Sequence, residues 1–304
     1  MTRAAHVLVA VFITLAGVPS GAFAKDMDIT THRFFADGVT DEVANQRFAN
    51  VMTQLGAALE PLALTPANTL GMSGFYFGFE TGISKIDGGQ DYWQLGTQGN
   101  QNATDTAGNT FAQDKLIYSR AMFRKGFPFG VDLGIGVGHV YNSSLFVWSG
   151  DIKIGLFEGW VRKWPAFLPN FALHGFVSAV TGDRQFTLTV PGGALVVSRP
   201  IVLGSTFIFT PMLHVRMSWT VADSAVVNVL SPSGGGGFDT QRYVYDHVRA
   251  HRVRLAPGFE FRYQRFQLSG AFLIDVAGGP SGLPGEPYAT ASQWRVDVGV
   301  GVNY

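Results

Sequence analysis

The sequence predicts an all-β protein, a transmembrane antiparallel up-and-down β-barrel of about ten strands (8–12) preceded by one amphipathic helix. Three observations lead there. In the last eleven residues, Trp294, Val296, Val298, Val300, Val302 and Tyr304 are apolar, whereas Arg295, Asp297, Gly299, Gly301 and Asn303 are polar or lack a side chain. That period of two marks a strand with one greasy and one wet face. The same period runs through most of the chain from Gly71 onward. Past residue 24, no apolar run reaches the roughly 18 residues of a spanning helix, so a chain in the bilayer must close its strands into a barrel.

Composition permits this fold without demanding it. Lys and Arg balance Asp and Glu at a formal net charge of +0, 14% of residues are charged, 13% are aromatic, and there are 38 Gly and no Cys. Charge balance argues against a nucleic-acid or anionic-surface partner. The lack of Cys suits an oxidising envelope compartment. A soluble β-sandwich could share these totals.

Residues 1–24 have the form of a secretory signal peptide. Arg3 is the positive head, Ala4 to Val18 the apolar core, and Ala22-Phe23-Ala24 an A-x-A cleavage site. Residues 25–68 form an N-terminal segment with a helix at 40–59. Thr40 caps it, Asp41 and Glu42 occupy the favourable first turn, and Pro61 ends it. Its apolar residues Val43, Phe48, Val51, Met52, Leu55 and Leu59 form roughly one face. Such a helix either caps the barrel from beneath on the periplasmic side or plugs its lumen.

Residues 69–304 form the barrel. The first strand turns Phe75, Phe77, Phe79 and Ile83 outward. The second, about 115–124, turns Ile117, Ala121 and Phe123 out and Tyr118, Arg120 and Arg124 in. The third shows Phe129 to Val137 outward at alternate positions, against Gly130, Asp132, Gly134, Gly136 and Gly138. The fourth points Asp151 and Lys153 inward, and the fifth His174 and Ser178. The sixth puts Phe186, Leu188 and Val190 out and Thr187 and Thr189 in, with a bulge at Pro191-Gly192-Gly193. The seventh has Phe207 to Trp219 out and Thr210, His214 and Arg216 in. The eighth carries Arg252, Arg254, Glu260 and Arg262 inward, the ninth Gln267, Ser269 and Asp275, and the tenth is the closing run. Segments 88–110, 222–246 and 277–291 are long loops after odd-numbered strands.

The closing strand resembles the C-terminal insertion signal of bacterial outer-membrane barrels, with Asp297, Gly299, Val302 and Tyr304 at its matching positions. Tyr304 stands where Phe is commoner. The resemblance implies the outer membrane as location, with its lipid and the barrel-assembly machinery as partners. Long outer loops and short periplasmic turns then put both termini in the periplasm. Aromatics sort into two girdles, with Phe129, Phe157, Phe171, Phe261, Phe266 and Tyr304 at one end and Phe146, Trp148, Trp219 and Trp294 at the other. A fainter resemblance to FadL-type transporters rests on the N-terminal helical segment and on Arg124-Lys125-Gly126-Phe127-Pro128-Phe129-Gly130. It implies a passage for hydrophobic ligands with a hatch, and no binding residues are carried over.

The inward residues Glu80, Arg120, Arg124, Asp132, Asp151, Lys153, His174, His214, Arg216, Arg252, Arg254, Glu260, Arg262, Asp275, Arg295 and Asp297 line the lumen. They either pair across a narrow interior and fill it, or form a polar conduit whose arginines favour anions. The bare wall of Gly130, Gly134, Gly136 and Gly138 leaves room that Arg120 and Arg124 would cross. No nucleophile elbow, metal cluster or phosphate loop appears, so no cofactor, metal or catalytic residue is expected. His139, Asp183 and Asp246 are the remaining rim candidates for an enzyme. The expectation is a monomeric channel or transporter for small solutes or hydrophobic ligands. The alternative is a non-conducting structural or adhesion barrel.

Overall fold

Alternation gives each strand two unlike faces, and ten such strands close on one another. The computed structural model describes residues 26–99, 108–110, 112–157, 168–204, 206–232, 238–276, 281–282 and 292–304. Helix α1 (Asp41–Leu59) precedes β1 (Phe75–Lys85), a short helix α2 (Asp91–Gly96), β2 (Lys115–Phe127), β3 (Val131–Val140), β4 (Phe146–Gly155), β5 (Asn170–Thr181) and β6 (Phe186–Ser198). Then come β7 (Ile201–Leu203), β8 (Phe207–Ser224), the hairpin β9 (Val227–Pro232) and β10 (Phe238–Tyr243), β11 (Val248–Tyr263), β12 (Phe266–Asp275), β13 (Ser281–Gly282) and β14 (Trp294–Asn303).

Strands β1 to β6, β8, β11, β12 and β14 pair in that order, all antiparallel, and β14 returns to β1, so the ten-stranded barrel is closed. The seam runs from Tyr76 opposite Asn303 to Ser84 opposite Arg295. Closure removes the unpaired edges that a membrane would not tolerate. We call the end holding the start of β1 and the finish of β14 the near end, and the other the far end.

The outer wall is apolar, with Ile135 at 67%, Trp148 at 57% and Val300 at 52% exposure. The ten-residue strands β3, β4, β12 and β14 match the ~9–11 residues of a tilted strand crossing a bilayer. Among the described residues no helix is long and apolar enough to cross. Connections 86–114, 225–247 and 276–293 lie at the far end, and the tight turns 128–130 and 264–265 at the near end.

The structure differs from the sequence reading in several places. Phe129 and Gly130 belong to the β2–β3 turn, both at positive φ, rather than to β3. The long loops hold α2, which buries Trp93, and the β9–β10 hairpin. Val43 is exposed rather than on the buried face of α1. Thr40 sits at the N-cap with extended backbone but makes no side-chain capping bond. Parts of the long connections, 100–107, 158–167 and 283–291, lie outside the described residues, as does the segment 1–25.

The largest correction concerns β6. It is one strand without a bulge toward β5, since Val177 faces Pro191 and Gly175 faces Gly193 in unbroken register. Its phase is also opposite to the expected one, with Phe186, Leu188 and Val190 buried in the lumen and Thr187 exposed. The reason is that the far half of the lumen is an apolar core. There Leu116, Tyr118, Val140, Val147, Leu188, Val190, Val248 and Leu273 surround Phe48, Val51, Met52, Leu55 and Leu59 of α1. Helix α1 is therefore inside the barrel, not beneath it.

Candidate functional site in the barrel lumen

Residues 26–38 lie across the far end. Met27 donates its backbone N–H to Asn142 in the β3–β4 turn at 2.9 Å, and Thr31 donates to Gln185 before β6 at 2.9 Å. Phe34, Phe35 and Phe48 meet Tyr243 and Tyr245 in a cluster of ring contacts, Phe35 against Tyr243 at 4.8 Å and Phe48 stacked on Tyr245 at 4.9 Å. Arg47 ties the start of α1 to Asp37 and Asp91 at 2.6 and 2.8 Å, and that hydrogen-bonded guanidinium holds the Asp37 carboxyl below its ordinary range. The chain near residue 26 thus sits at the opposite end from Tyr304, which corrects the expectation of both termini on one side.

From there α1 descends to mid-lumen and stops at Glu60, because the residue before Pro61 is held out of helical geometry. Its last turn contains no basic residue, and the barrel wall supplies them instead. Arg254 Nη1 donates to the Ala57 carbonyl at 2.9 Å, Arg295 Nη1 to that of Glu60 at 2.7 Å, and Arg216 Nη2 to that of Pro61 at 2.6 Å. Arg216 Nε also meets the Glu60 carboxylate at 2.6 Å, with Arg254 at 3.4 Å and Ser218 at 3.3 Å. The negative end of the helix and a buried carboxylate together face three guanidinium groups.

Residues 61–74 carry the chain on to the near end as an extended strap. Asp297 accepts the Ala63 N–H at 2.9 Å and pairs with Arg295 at 2.7 Å. Lys153 donates to the carbonyls of Pro66 and Asn68 at 3.0 and 2.6 Å and pairs with Asp132 at 3.1 Å. Asp132 in turn accepts the Leu70 N–H at 3.0 Å. Asp297, Lys153 and Asp132 thus hold the strap while each also pairs within the wall.

The rest of the charged wall pairs strand to strand. Arg120 meets Glu80 at 2.6 Å and Ser149 at 3.2 Å, and Arg124 meets Asp151 at 3.3 Å. Both arginines leave β2 and reach β4, crossing the glycines of β3. A Cβ at Gly134 would fall 2.7 Å from the Asp151 carboxylate and 2.5 Å from the Met122 methyl. Gly134→Ala is therefore expected to cost about 1–3 kcal/mol by overpacking, read as a lower temperature for losing the heat-modifiable form on detergent gels. Asp275 accepts from both Arg252 and Arg254, the latter at 2.8 Å. His174 lies 3.4 Å from Asp151, fully buried His214 flanks Arg216 on β8, and Glu260 lies 3.8 Å from the partly exposed Arg262.

Among the described residues the lumen buries seven cations (Arg120, Arg124, Lys153, Arg216, Arg252, Arg254, Arg295) and seven anions (Glu60, Glu80, Asp132, Asp151, Glu260, Asp275, Asp297). Glu60 is the one anion among these seven that the wall does not supply, and with it they match the seven cations in number. Arg262 beside Glu260 is partly exposed, and buried Arg33 and Arg47 belong to the far end. An excess of arginine favouring anions is not present. Sequence reasoning missed Glu60, whose sole signal was a carboxylate placed directly before a proline at the end of an apolar helix face.

Rim candidates for catalysis do not meet. His139 packs on Phe146 at 4.9 Å, Asp183 accepts the Gln185 N–H at 2.7 Å, and Asp246 accepts from Asn45 at 2.7 Å. No group of three or more His, Cys, Asp or Glu that could hold a metal occurs among the described residues. Of the insertion-signal positions, Asp297 and Gly299 face the lumen, Gly299 against Leu64 of the strap. Val302 lies opposite Phe77 at the seam, and Tyr304 stacks on Phe75 at 5.0 Å.

Fold and site together define a closed, ten-stranded transmembrane-type β-barrel with an internal plug. No protein-family model matches the chain, and no curated protein matches it. Among solved structures it is similar to bacterial outer-membrane β-barrels. The outer membrane protein OprG of Pseudomonas aeruginosa is 11% identical, with 79% of this chain and 99% of that one covered at a TM-score of 0.30. The translocator domain of autotransporter NalP of Neisseria meningitidis is 9% identical, covering 88% and 99% at 0.35, and LpxR of Salmonella typhimurium is 8% identical, covering 73% and 99% at 0.34. At these TM-scores the likenesses add nothing to the barrel's own geometry, and they do not show the resemblance to FadL-type transporters.

Proposed function

We propose that this protein is a non-conducting outer-membrane barrel, exported by the signal peptide at residues 1–24 and filled by its own N-terminal segment, which turns its far-end cap toward the outside. One observation carries the reading. Phe48, Val51, Met52, Leu55 and Leu59 are each fully buried against an apolar lumen wall, so α1 is a core element and not a loosely held gate. Its partners are then outer-membrane lipid along the apolar belt, the barrel-assembly machinery, and whatever structural or adhesive contact the cap makes. The same apolar wall favours a second reading, a passage for hydrophobic ligands that opens when α1 leaves. Purified protein in planar bilayers tests the first reading. The expected result is no conductance steps in the wild type, and steady single-channel openings would refute it.

A further inference from the structure

Residues 26–40 and the start of β1 lie at opposite ends of the barrel, joined only by α1 and the strap. The far-end position of the first segment is set by many contacts. Besides Met27 and Thr31, Asp28 accepts the Ser144 N–H in the β3–β4 turn, Tyr245 donates to the Thr31 carbonyl at 2.5 Å, and the His32 carbonyl accepts the Leu230 N–H at 2.9 Å. The near-end position of residues 71–74 is equally set, with Gly126 donating to the Gly74 carbonyl at 2.9 Å at the foot of β2. Between them the chain is enclosed by an unbroken ring of paired strands.

We propose that the N-terminal segment crosses the membrane outward through the lumen of its own barrel and is displayed on the outer surface. This rests on the outer-membrane reading above, which orients the long far-end connections outward. A chain arriving from the periplasmic side must bring residues 26–40 past the bilayer and α1 into the lumen to reach their observed place. The route through lipid would carry the charges of Arg33, Asp37 and Arg47 across hydrocarbon and leave Glu60 within it, at several kcal/mol for each charge. The route through the lumen offers Arg216, Arg254 and Arg295 to Glu60 and an apolar wall to α1. The finished interior leaves no room for a cap bearing Phe34, Phe35 and Arg33 to pass. The segment therefore enters before β14 zips onto β1, and the barrel closes around it.

The absence of native Cys makes this testable by single-cysteine labelling of intact cells with a membrane-impermeant maleimide. Thr40→Cys and Glu42→Cys report on the segment; both positions are exposed, and Thr40 makes no side-chain capping bond. Val226→Cys, 56% exposed, reports on the far end, and Met72→Cys, 68% exposed, on the near end. Heat-modifiable migration verifies that each variant has folded. The expected result is that Thr40→Cys and Glu42→Cys label together with Val226→Cys in intact cells, and Met72→Cys only after the outer membrane is permeabilised. If Val226→Cys labels at once but both segment variants wait for permeabilisation, display is overturned while the barrel's orientation stands. If Val226→Cys and Met72→Cys behave alike or in reverse, the outer-membrane reading itself fails and the display proposal falls with it.

Discussion

Glu60→Gln is expected to destabilise the barrel by about 3–5 kcal/mol, because it leaves buried guanidinium charge without its counter-charge. The carboxylate lies in a fully buried position, bonded to Arg216 at 2.6 Å and facing Arg254 at 3.4 Å, while Arg295 holds its backbone carbonyl. Removing one anion from a lumen with seven of each sign leaves a net positive charge that neither lipid nor bulk water can reach. The amide keeps the shape and some hydrogen bonding, so the loss reports charge rather than a cavity. Urea unfolding in detergent, followed by heat-modifiable migration, measures it. Combining the change with Arg216→Met restores equal numbers and should recover part of the loss, a coupling that two independent sites would not show. A Glu60→Gln variant within about 0.5 kcal/mol of wild type would mean that the arginines are already compensated by something other than this carboxylate.

Deletion of residues 41–59 is expected to abolish the folded barrel rather than to open it. Five large side chains leave the far-end core, at about 1.5–3 kcal/mol each, so roughly 10 kcal/mol in all. That equals a typical domain's entire stability of about 5–15 kcal/mol. The walls they covered, from Leu116 on β2 to Leu273 on β12, would face an empty or wetted lumen. The measurement is the presence of a compact, heat-modifiable band after refolding in detergent. Should the shortened protein insert and conduct ions, α1 would be a hatch, and the passage for hydrophobic ligands would replace the non-conducting reading.

Outside β6 and the β2–β3 turn, the barrel wall was legible in the sequence. Each strand from β1 to β5, with β8, β11, β12 and β14, turns to the lumen the residues that alternation assigned there, among them Arg120, Asp151, Arg216, Glu260 and Asp297. Closure of β14 on β1 places Arg295 and Asp297 on the wall beside Glu80, since Glu80 pairs opposite Gly299. Strand β6 misled for a reason that lies in the rule. Alternation shows that two faces differ but names the apolar one as outward only when the interior is wet. Around Phe186, Leu188 and Val190 the interior is as apolar as lipid, because α1 fills it.

By itself, then, the sequence determined an all-β chain with ten barrel strands, their phase wherever the interior is polar, and a helix ahead of them. Those are local properties, written in the period of neighbouring side chains. Only the tertiary structure decided that the helix lies inside, that Glu60 completes the charge of the lumen, and that residue 26 and residue 304 end on opposite sides. These depend on contacts between residues more than 150 positions apart, such as Glu60 with Arg216 and Ala63 with Asp297. No periodicity within one strand records which distant segment will occupy the space it encloses.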